Sequence, residues 1–105
     1  MFQRFEEELE INDFPQQARW RVTSREALAQ ISEYSDAGLT VRGTYYAPGA
    51  KVPDDQRKLY LAIEATNELA VSKARIEIIR LIKEELIRLQ SNSGPGNRGG
   101  RYKVL

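Results

Sequence analysis

One stretch, residues 19–46, constrains the fold of this chain more than any other. It begins in a polar, arginine-rich turn, continues with helical periodicity, and ends in a run of β-branched and aromatic residues. We expect Thr23 to cap the helix, with Glu26 completing a capping box, and Gly38 to take the left-handed position that ends it. Apolar residues at helical spacing predict one buried stripe, formed by Leu28, Ile31 and Tyr34.

Three further elements lie around the helix of this stretch. An alternating pattern predicts a strand over residues 8–12, and a short helix follows over residues 14–21, with Asp13 as N-cap and Pro15 in its first turn. The β-branched run predicts a strand over residues 39–46. In that strand, the residues predicted to face the core are Leu39 and Val41.

The second half of the chain predicts a loop, a strand and one long helix. Residues 47–57 contain two prolines and a glycine, which is typical of a loop, and residues 58–65 then predict a strand paired with the previous one. Thr66 or Asn67 is the expected cap of a helix that runs to about Gln90. Its predicted core stripe is Val71, Ala74, Ile78, Ile82, Leu86 and Leu89.

The resulting order is strand, helix, helix, strand, strand, helix. A three-stranded antiparallel sheet with helices on one face satisfies this order, which makes the fold α+β. We expect a charged lead-in over residues 1–7, one domain over residues 8–90, and a flexible Gly-, Ser- and Arg-rich tail over residues 91–105.

Charge and composition exclude several function classes. The chain has no cysteine and no histidine, so the common transition-metal ligands and the usual general base are missing, and we expect no cofactor. No apolar run reaches the roughly 20 residues of a membrane span. The net charge is only +1, but residues 1–13 carry −4, residues 14–58 carry +2 and the tail carries +3. Cationic character therefore lies in the centre and in the tail.

Short motifs spread over nearly the whole chain point to one family. They are Glu7-Glu8-Leu9-Glu10-Ile11-Asn12-Asp13-Phe14-Pro15-Gln16, Ala18-Arg19-Trp20, Val22-Thr23, Ile31-Ser32-Glu33, Arg42-Gly43, Pro48-Gly49 and Gly100-Arg101-Tyr102-Lys103-Val104-Leu105. The chain resembles the C-terminal KH-like domain of the spliceosomal DEAD-box RNA helicases that act when the branch-site snRNP joins the pre-mRNA. The resemblance implies a type I KH-like fold, a nuclear location, single-stranded pre-mRNA or snRNA as ligand, and spliceosomal proteins as partners.

Two sets of motifs are missing from this sequence, those of the helicase core and the glycine loop of KH domains, and both absences bear on function. The phosphate-binding GxxxxGK[ST] loop and the DEAD box of the helicase core do not occur in this sequence, so the chain itself is not expected to be an enzyme. The GxxG loop of KH domains is expected over residues 22–25, where Val22 and Arg25 replace the two glycines.

The resemblance also implies that RNA lies in a groove framed by this turn and the second strand. Around the turn, the predicted RNA-contacting residues are Arg19, Arg21, Thr23, Ser24 and Arg25. On the strand and in the following loop they are Arg42, Thr44, Tyr46, Lys51, Arg57 and Lys58, with Tyr45 on the opposite strand face. Arginine suits phosphate, and tyrosine can stack on bases. For the three arginines around the turn, the alternative is a solvated surface whose arginines pair with Glu26 and the acidic N-terminus. For the tyrosines, it is that they are half-buried sheet residues.

A second hypothesis makes the domain a KH-derived protein-interaction module, monomeric in isolation, that docks a spliceosomal partner. Three apolar residues of the long helix lie about 150° from its core stripe, namely Leu69, Ile76 and Ile87. Either they form an open partner surface, or the lead-in with Phe2 and Phe5 covers them. The tail adds a single RGG-like element over residues 97–101.

Overall fold

The computed structural model of the chain describes residues 3–92, and its elements follow the predicted order. They are β1 (Phe5–Glu10), α1 (Gln16–Thr23), α2 (Arg25–Ser35), β2 (Gly38–Arg42), β3 (Tyr60–Ala65) and α3 (Glu68–Asn92). The strands form one antiparallel sheet in the order β1-β3-β2. The predicted α+β architecture is confirmed. The predicted tail motifs and Phe2 lie outside the described residues.

The first strand begins earlier than predicted. Phe5 and Leu9 point inward and pack against the core, while the intervening glutamates Glu6 and Glu8 stay exposed. This alternation pairs Phe5 with Ala65 and Leu9 with Leu61 on β3. β1 therefore includes residues 5–7 of the predicted lead-in. Acidic residues on the solvent face of an edge strand are compatible with strand pairing.

The hydrophobic core lies between the sheet and the three helices. The largest fully buried apolar side chains come from every layer, and they are Ile11, Val22, Ile31, Leu61, Ile63 and Ile78. Of the predicted α3 stripe, Val71, Ala74, Ile78 and Ile82 are buried, and Leu86 and Leu89 are half-buried. Tyr34 is an exception to the predicted α2 stripe, since 58% of it is exposed.

The junction between α1 and α2 differs from the prediction by one residue. Thr23 is the last residue of α1, and its hydroxyl donates to the Arg19 carbonyl oxygen at 2.9 Å. Ser24 caps α2 instead, because its Oγ accepts a hydrogen bond from the Ala27 amide at 3.2 Å. The predicted capping box with Glu26 is therefore wrong. α1 extends past its predicted end at residue 21, because Val22 is fully buried and keeps this turn helical.

The other helix ends were predicted with mixed success. Asp13 does not cap α1, which begins at Gln16 after an extended Pro15 and has no side-chain cap. The left-handed residue that ends α2 is Asp36, with φ 65°, and Gly38 opens β2 instead. Aspartate tolerates this conformation better than most residues. Asn67 does cap α3, since its Oδ1 accepts from the Ala70 amide at 2.8 Å.

The second strand ends at Arg42 rather than at residue 46. Gly43 has φ 79°, and a Cβ atom there would lie 2.4 Å from the carbonyl oxygen of Lys58. Only glycine fits this close backbone approach. Thr44 then donates its amide to the Arg57 carbonyl oxygen at 3.0 Å. The segment after Gly43 therefore leaves the strand alternation and follows its own path.

Candidate nucleic-acid interface

A buried asparagine fixes the loop between β2 and β3. Asn12 is 1% exposed, and its Oδ1 accepts hydrogen bonds from the amides of Tyr46 at 2.9 Å and Leu59 at 3.4 Å. Its Nδ2 donates to the Tyr46 carbonyl oxygen at 2.9 Å. Both ends of the loop are thus held against the segment that joins β1 to α1. A long loop acquires a defined base in this way.

A cleft of about 750 Å³ opens between that segment, α1 and the loop. Arg19 projects from α1 across this cleft, and its Cζ lies 3.9 Å from the centroid of the Tyr45 ring. The Nη1 of Arg19 donates to the Phe14 carbonyl oxygen at 2.6 Å, which fixes the guanidinium. Lys58, which lies just before β3, lines the same cleft. Two cations and an aromatic ring therefore meet in one concave surface.

This arrangement suits a nucleotide chemically. Tyr45 is 42% exposed, so part of its ring is open to stack on a base. Only one donor of the Arg19 guanidinium is engaged by Phe14, and the remaining N–H groups can reach an anion. Among the residues that the structure describes, Asp13 is the one acidic residue that lines the cleft, so Arg19 and Lys58 outweigh it.

The turn between the helices offers less than a glycine loop does. Ser24 is the only residue between α1 and α2, and its amide donates to the Trp20 carbonyl oxygen at 3.3 Å. Val22, at the first glycine position, is fully buried, which keeps RNA from approaching its backbone. Arg25 is exposed, and among the described residues its side chain has no ion-pair partner. The turn therefore presents one available cation, while the hydroxyls of Thr23 and Ser24 serve the helices.

Arg21 lies apart from the cleft. Its guanidinium is 3.8 Å from the carboxylates of both Glu84 and Glu85 on α3. Arg21 therefore joins α1 to α3, on the side of α1 away from Tyr45. The sequence pattern did not reveal these partners, because they follow more than 60 residues later.

Arg57 and Arg42 lie on the solvent face of the sheet. Arg57 forms two hydrogen bonds with the Glu8 carboxylate, at 3.0 and 3.2 Å, and its Cζ lies 3.8 Å from the centroid of the Tyr60 ring. The Arg57 hydrogen bonds lower the pKa of Glu8, and the nearby charge of Arg42 acts in the same direction. Arg57 is thus engaged by Glu8 of β1.

The remaining predicted residues divide between backbone and loop roles. Thr44 is exposed and bonds through its amide, whereas Tyr46 is half-buried and held by Asn12 on both backbone groups. Lys51 is exposed in the loop. Of the predicted residues, the structure brings Arg19 and Lys58 together, and it adds Tyr45. The strand predicted over residues 39–46 put Tyr45 on the face opposite the predicted RNA-contacting residues. The glycine at position 43 was the signal that the strand ends before Tyr45.

Residues 3–92 contain neither a membrane-spanning helix nor a metal-ligating cluster. None of the helices there combines the length and apolar composition of a membrane span. The same residues hold no cluster of three or more acidic side chains able to ligate a metal ion.

Comparison with known proteins decides the family. The sequence matches the KH-domain family over residues 5–88. The chain belongs to the KH-domain family. This KH domain is also 67% identical over 104 residues, 99% of the chain, to the probable ATP-dependent RNA helicase DDX46 of Homo sapiens. Over 105 residues, all of the chain, it is 46% identical to DEAD-box ATP-dependent RNA helicase 42 of Arabidopsis thaliana.

The matched part is a small share of each relative. The KH domain spans 10% of the human protein and 9% of the Arabidopsis protein. The predicted resemblance to a KH-like domain of DEAD-box helicases is confirmed by these matches. The matched family is that of the KH domain, so the domain itself is not the catalytic unit.

Proposed function

We propose that this KH domain is a non-catalytic module of a DEAD-box RNA helicase and that it contacts single-stranded RNA. Family membership supports the ligand class, because KH domains bind single-stranded nucleic acid. The observation that carries the proposal is the Arg19–Tyr45 stack beside Lys58, in a cleft large enough for a nucleotide. The relatives supply the helicase setting, since their names describe ATP-dependent RNA helicases.

The expected binding mode follows from the chemistry of the cleft. A base stacks on the open part of Tyr45, while Lys58 and the available donors of Arg19 hold neighbouring phosphates. Arg25 extends the path toward the turn. Because Val22 blocks a backbone clamp, these contacts are side-chain contacts that read little sequence. Binding is therefore weak and of low specificity.

The biological setting is proposed on the resemblance and the relatives together. The RNA is pre-mRNA or snRNA, and the parent helicase acts in the nucleus during pre-mRNA splicing. Spliceosomal proteins are then its neighbours. In isolation the domain is a monomer.

The experiment is a titration of the isotope-labelled chain with a short single-stranded RNA, followed by amide chemical shifts. We expect shifts in residues 12–25 and 43–49. Tyr45→Ala should weaken binding about tenfold, because stacking on one aromatic ring contributes about 1–3 kcal/mol. Tyr34→Ala is the matched control, since Tyr34 is also exposed and lies beside a cation, with Lys73 Nζ 4.9 Å from its ring centroid.

Two results would contradict the proposal. Shifts confined to residues 98–105 would place the RNA on the tail alone. Equal losses in Tyr45→Ala and Tyr34→Ala would show that the cleft has no special role.

A further inference from the structure

The outward face of α3 carries large apolar side chains that the fold leaves open. Leu69, Ile76 and Ile87 are 70%, 57% and 64% exposed. At about 100° per residue, their directions around the helix agree within about 20°. They span 18 residues of helix, or about 27 Å. Exposed apolar rows of this length mark interaction sites in soluble domains.

This row continues into an apolar groove at the side of the domain. Ile79 and Leu86, both half-buried, line a groove of about 300 Å³ together with Leu9 and Phe14. The exposed Glu10 of β1 and Lys83 of α3 are its charged lining residues, one of each sign. On α3, the positions that face outward or into this groove follow the alternating three- and four-residue spacing of a coiled-coil seam: Leu69, Ser72, Ile76, Ile79, Lys83 and Leu86. The geometry therefore fits another helix lying along α3.

All charged residues within about 60° of Ile76 around the helix axis are basic. They are Lys73, Arg80 and Lys83. The nearest acidic residues on α3 lie further round, Glu68 and Glu84 at about 80° and Glu77 at about 100°. Glu77 and Glu84 both accept hydrogen bonds from Arg80. Lys83 has no ion-pair partner among residues 3–92, although it sits in the middle of the apolar row.

These charges argue against two occupants from the chain itself. Residues 93–105 contain three basic residues and no acidic one, so they match the sign of the face. A second copy lying antiparallel on α3 would bring the two sets of basic residues together, which is unfavourable. Phe5 does not cover the row either, because it packs against the core.

We propose that this face of α3 docks an amphipathic helix of about five turns whose apolar stripe is flanked by acidic residues. Its apolar side chains pack between Ile76, Ile79 and Leu86. Its acidic flanks pair with Lys83 and Lys73.

The docking residues named here lie on α3, whereas the Arg19–Tyr45 stack lies between α1 and the loop after β2. Phe14 is the one described residue that lines both the groove and the RNA cleft. Substitutions on α3 therefore test the helix proposal without changing residues proposed to contact RNA.

The test uses the full chain and two synthetic helical peptides of about three heptads with identical apolar positions. One peptide carries glutamate and the other lysine at the flanking positions. We expect the glutamate peptide to bind at least tenfold more tightly and to shift amides of α3 around Ile76 and Lys83. Lys83→Glu should invert this preference. Lys83→Gln should weaken binding of the glutamate peptide several-fold. The matched control Arg88→Gln, about 120° round the helix from Ile76, should leave this binding unchanged.

Ile76→Ser tests the apolar contacts of the proposed interface. We expect it to abolish binding of both peptides and to leave the melting temperature unchanged. Equal affinity for the two peptides, or no binding of either, would overturn the proposal. Unfolding of Ile76→Ser would show instead that the row belongs to the core. If single-stranded RNA shifts these α3 amides, the face is a nucleic-acid surface and the helix proposal fails. If the RNA cleft at Tyr45 proves not to bind RNA, the helix proposal is unaffected.

Discussion

At the scale of single residues, most predicted core positions are buried or half-buried, although Tyr34 and Val41 are 58% and 37% exposed. Polar positions with distant partners were not predictable. Ile78 lies in the predicted core stripe of the long helix and is buried, whereas Ile76, which is about 150° from that stripe, is 57% exposed. Asn12 was counted as an ordinary polar position of a strand. Its burial depends on backbone partners 34 and 47 residues away, and no local pattern encodes such distances.

Asn12→Ala is therefore the most informative point change. It removes three hydrogen bonds to Tyr46 and Leu59, and leaves buried backbone groups without partners. We expect a loss of roughly 2–4 kcal/mol in the free energy of unfolding, measured by urea denaturation, because each such unsatisfied group destabilises by about 1–3 kcal/mol. Asp54→Ala, at an exposed position of the loop between β2 and β3, should change it by less than about 0.5 kcal/mol. Similar losses in both variants would mean that Asn12 does not hold the loop.

At the scale of elements, type and order were predictable from periodicity, and several boundaries were not. A strand ends where the backbone must turn, and in β2 that point is Gly43, whose close approach to Lys58 is a tertiary contact. Likewise α1 runs to Thr23 because Val22 packs in the core. The end of β2 also affects the candidate site: Tyr46 was predicted to contact RNA, whereas Tyr45 is the tyrosine that lines the cleft.

Restoring the family's glycine spacing with Val22→Gly and Arg25→Gly tests the turn. We expect no gain in RNA affinity and a loss of roughly 3–5 kcal/mol in unfolding free energy, since Val22 loses its burial and both helices gain a glycine. Arg25→Gly alone should lower it by about 1 kcal/mol at most. Urea denaturation and RNA titration measure the two effects. A double variant as stable as the parent that binds RNA at least tenfold more tightly would show that the turn tolerates a glycine clamp.

At the scale of the whole molecule, ion pairing limits how basic the surface is. Six arginines form salt bridges with glutamates within the described residues, and they are Arg4, Arg21, Arg57, Arg75, Arg80 and Arg88. Counting basic residues in the sequence therefore overestimates the cations available to RNA. Outside these pairs, Arg19 and Lys58 line the cleft, Arg25 lies at the turn, and Lys51 lies in the loop between β2 and β3.

These few cations set the expected salt dependence of RNA binding. Three or four phosphate contacts to a single strand give a slope of log K against log salt of about −2 to −3, and a dissociation constant on the order of tens of micromolar at physiological salt. Affinity should thus fall roughly 20- to 50-fold between 50 and 200 mM salt, measured by fluorescence anisotropy. Arg19→Gln should make the slope shallower by about 0.7, whereas Arg57→Gln, whose guanidinium is held by Glu8, should leave it unchanged. A slope that Arg57→Gln reduces as much as Arg19→Gln would place the RNA on the open face of the sheet rather than in the cleft.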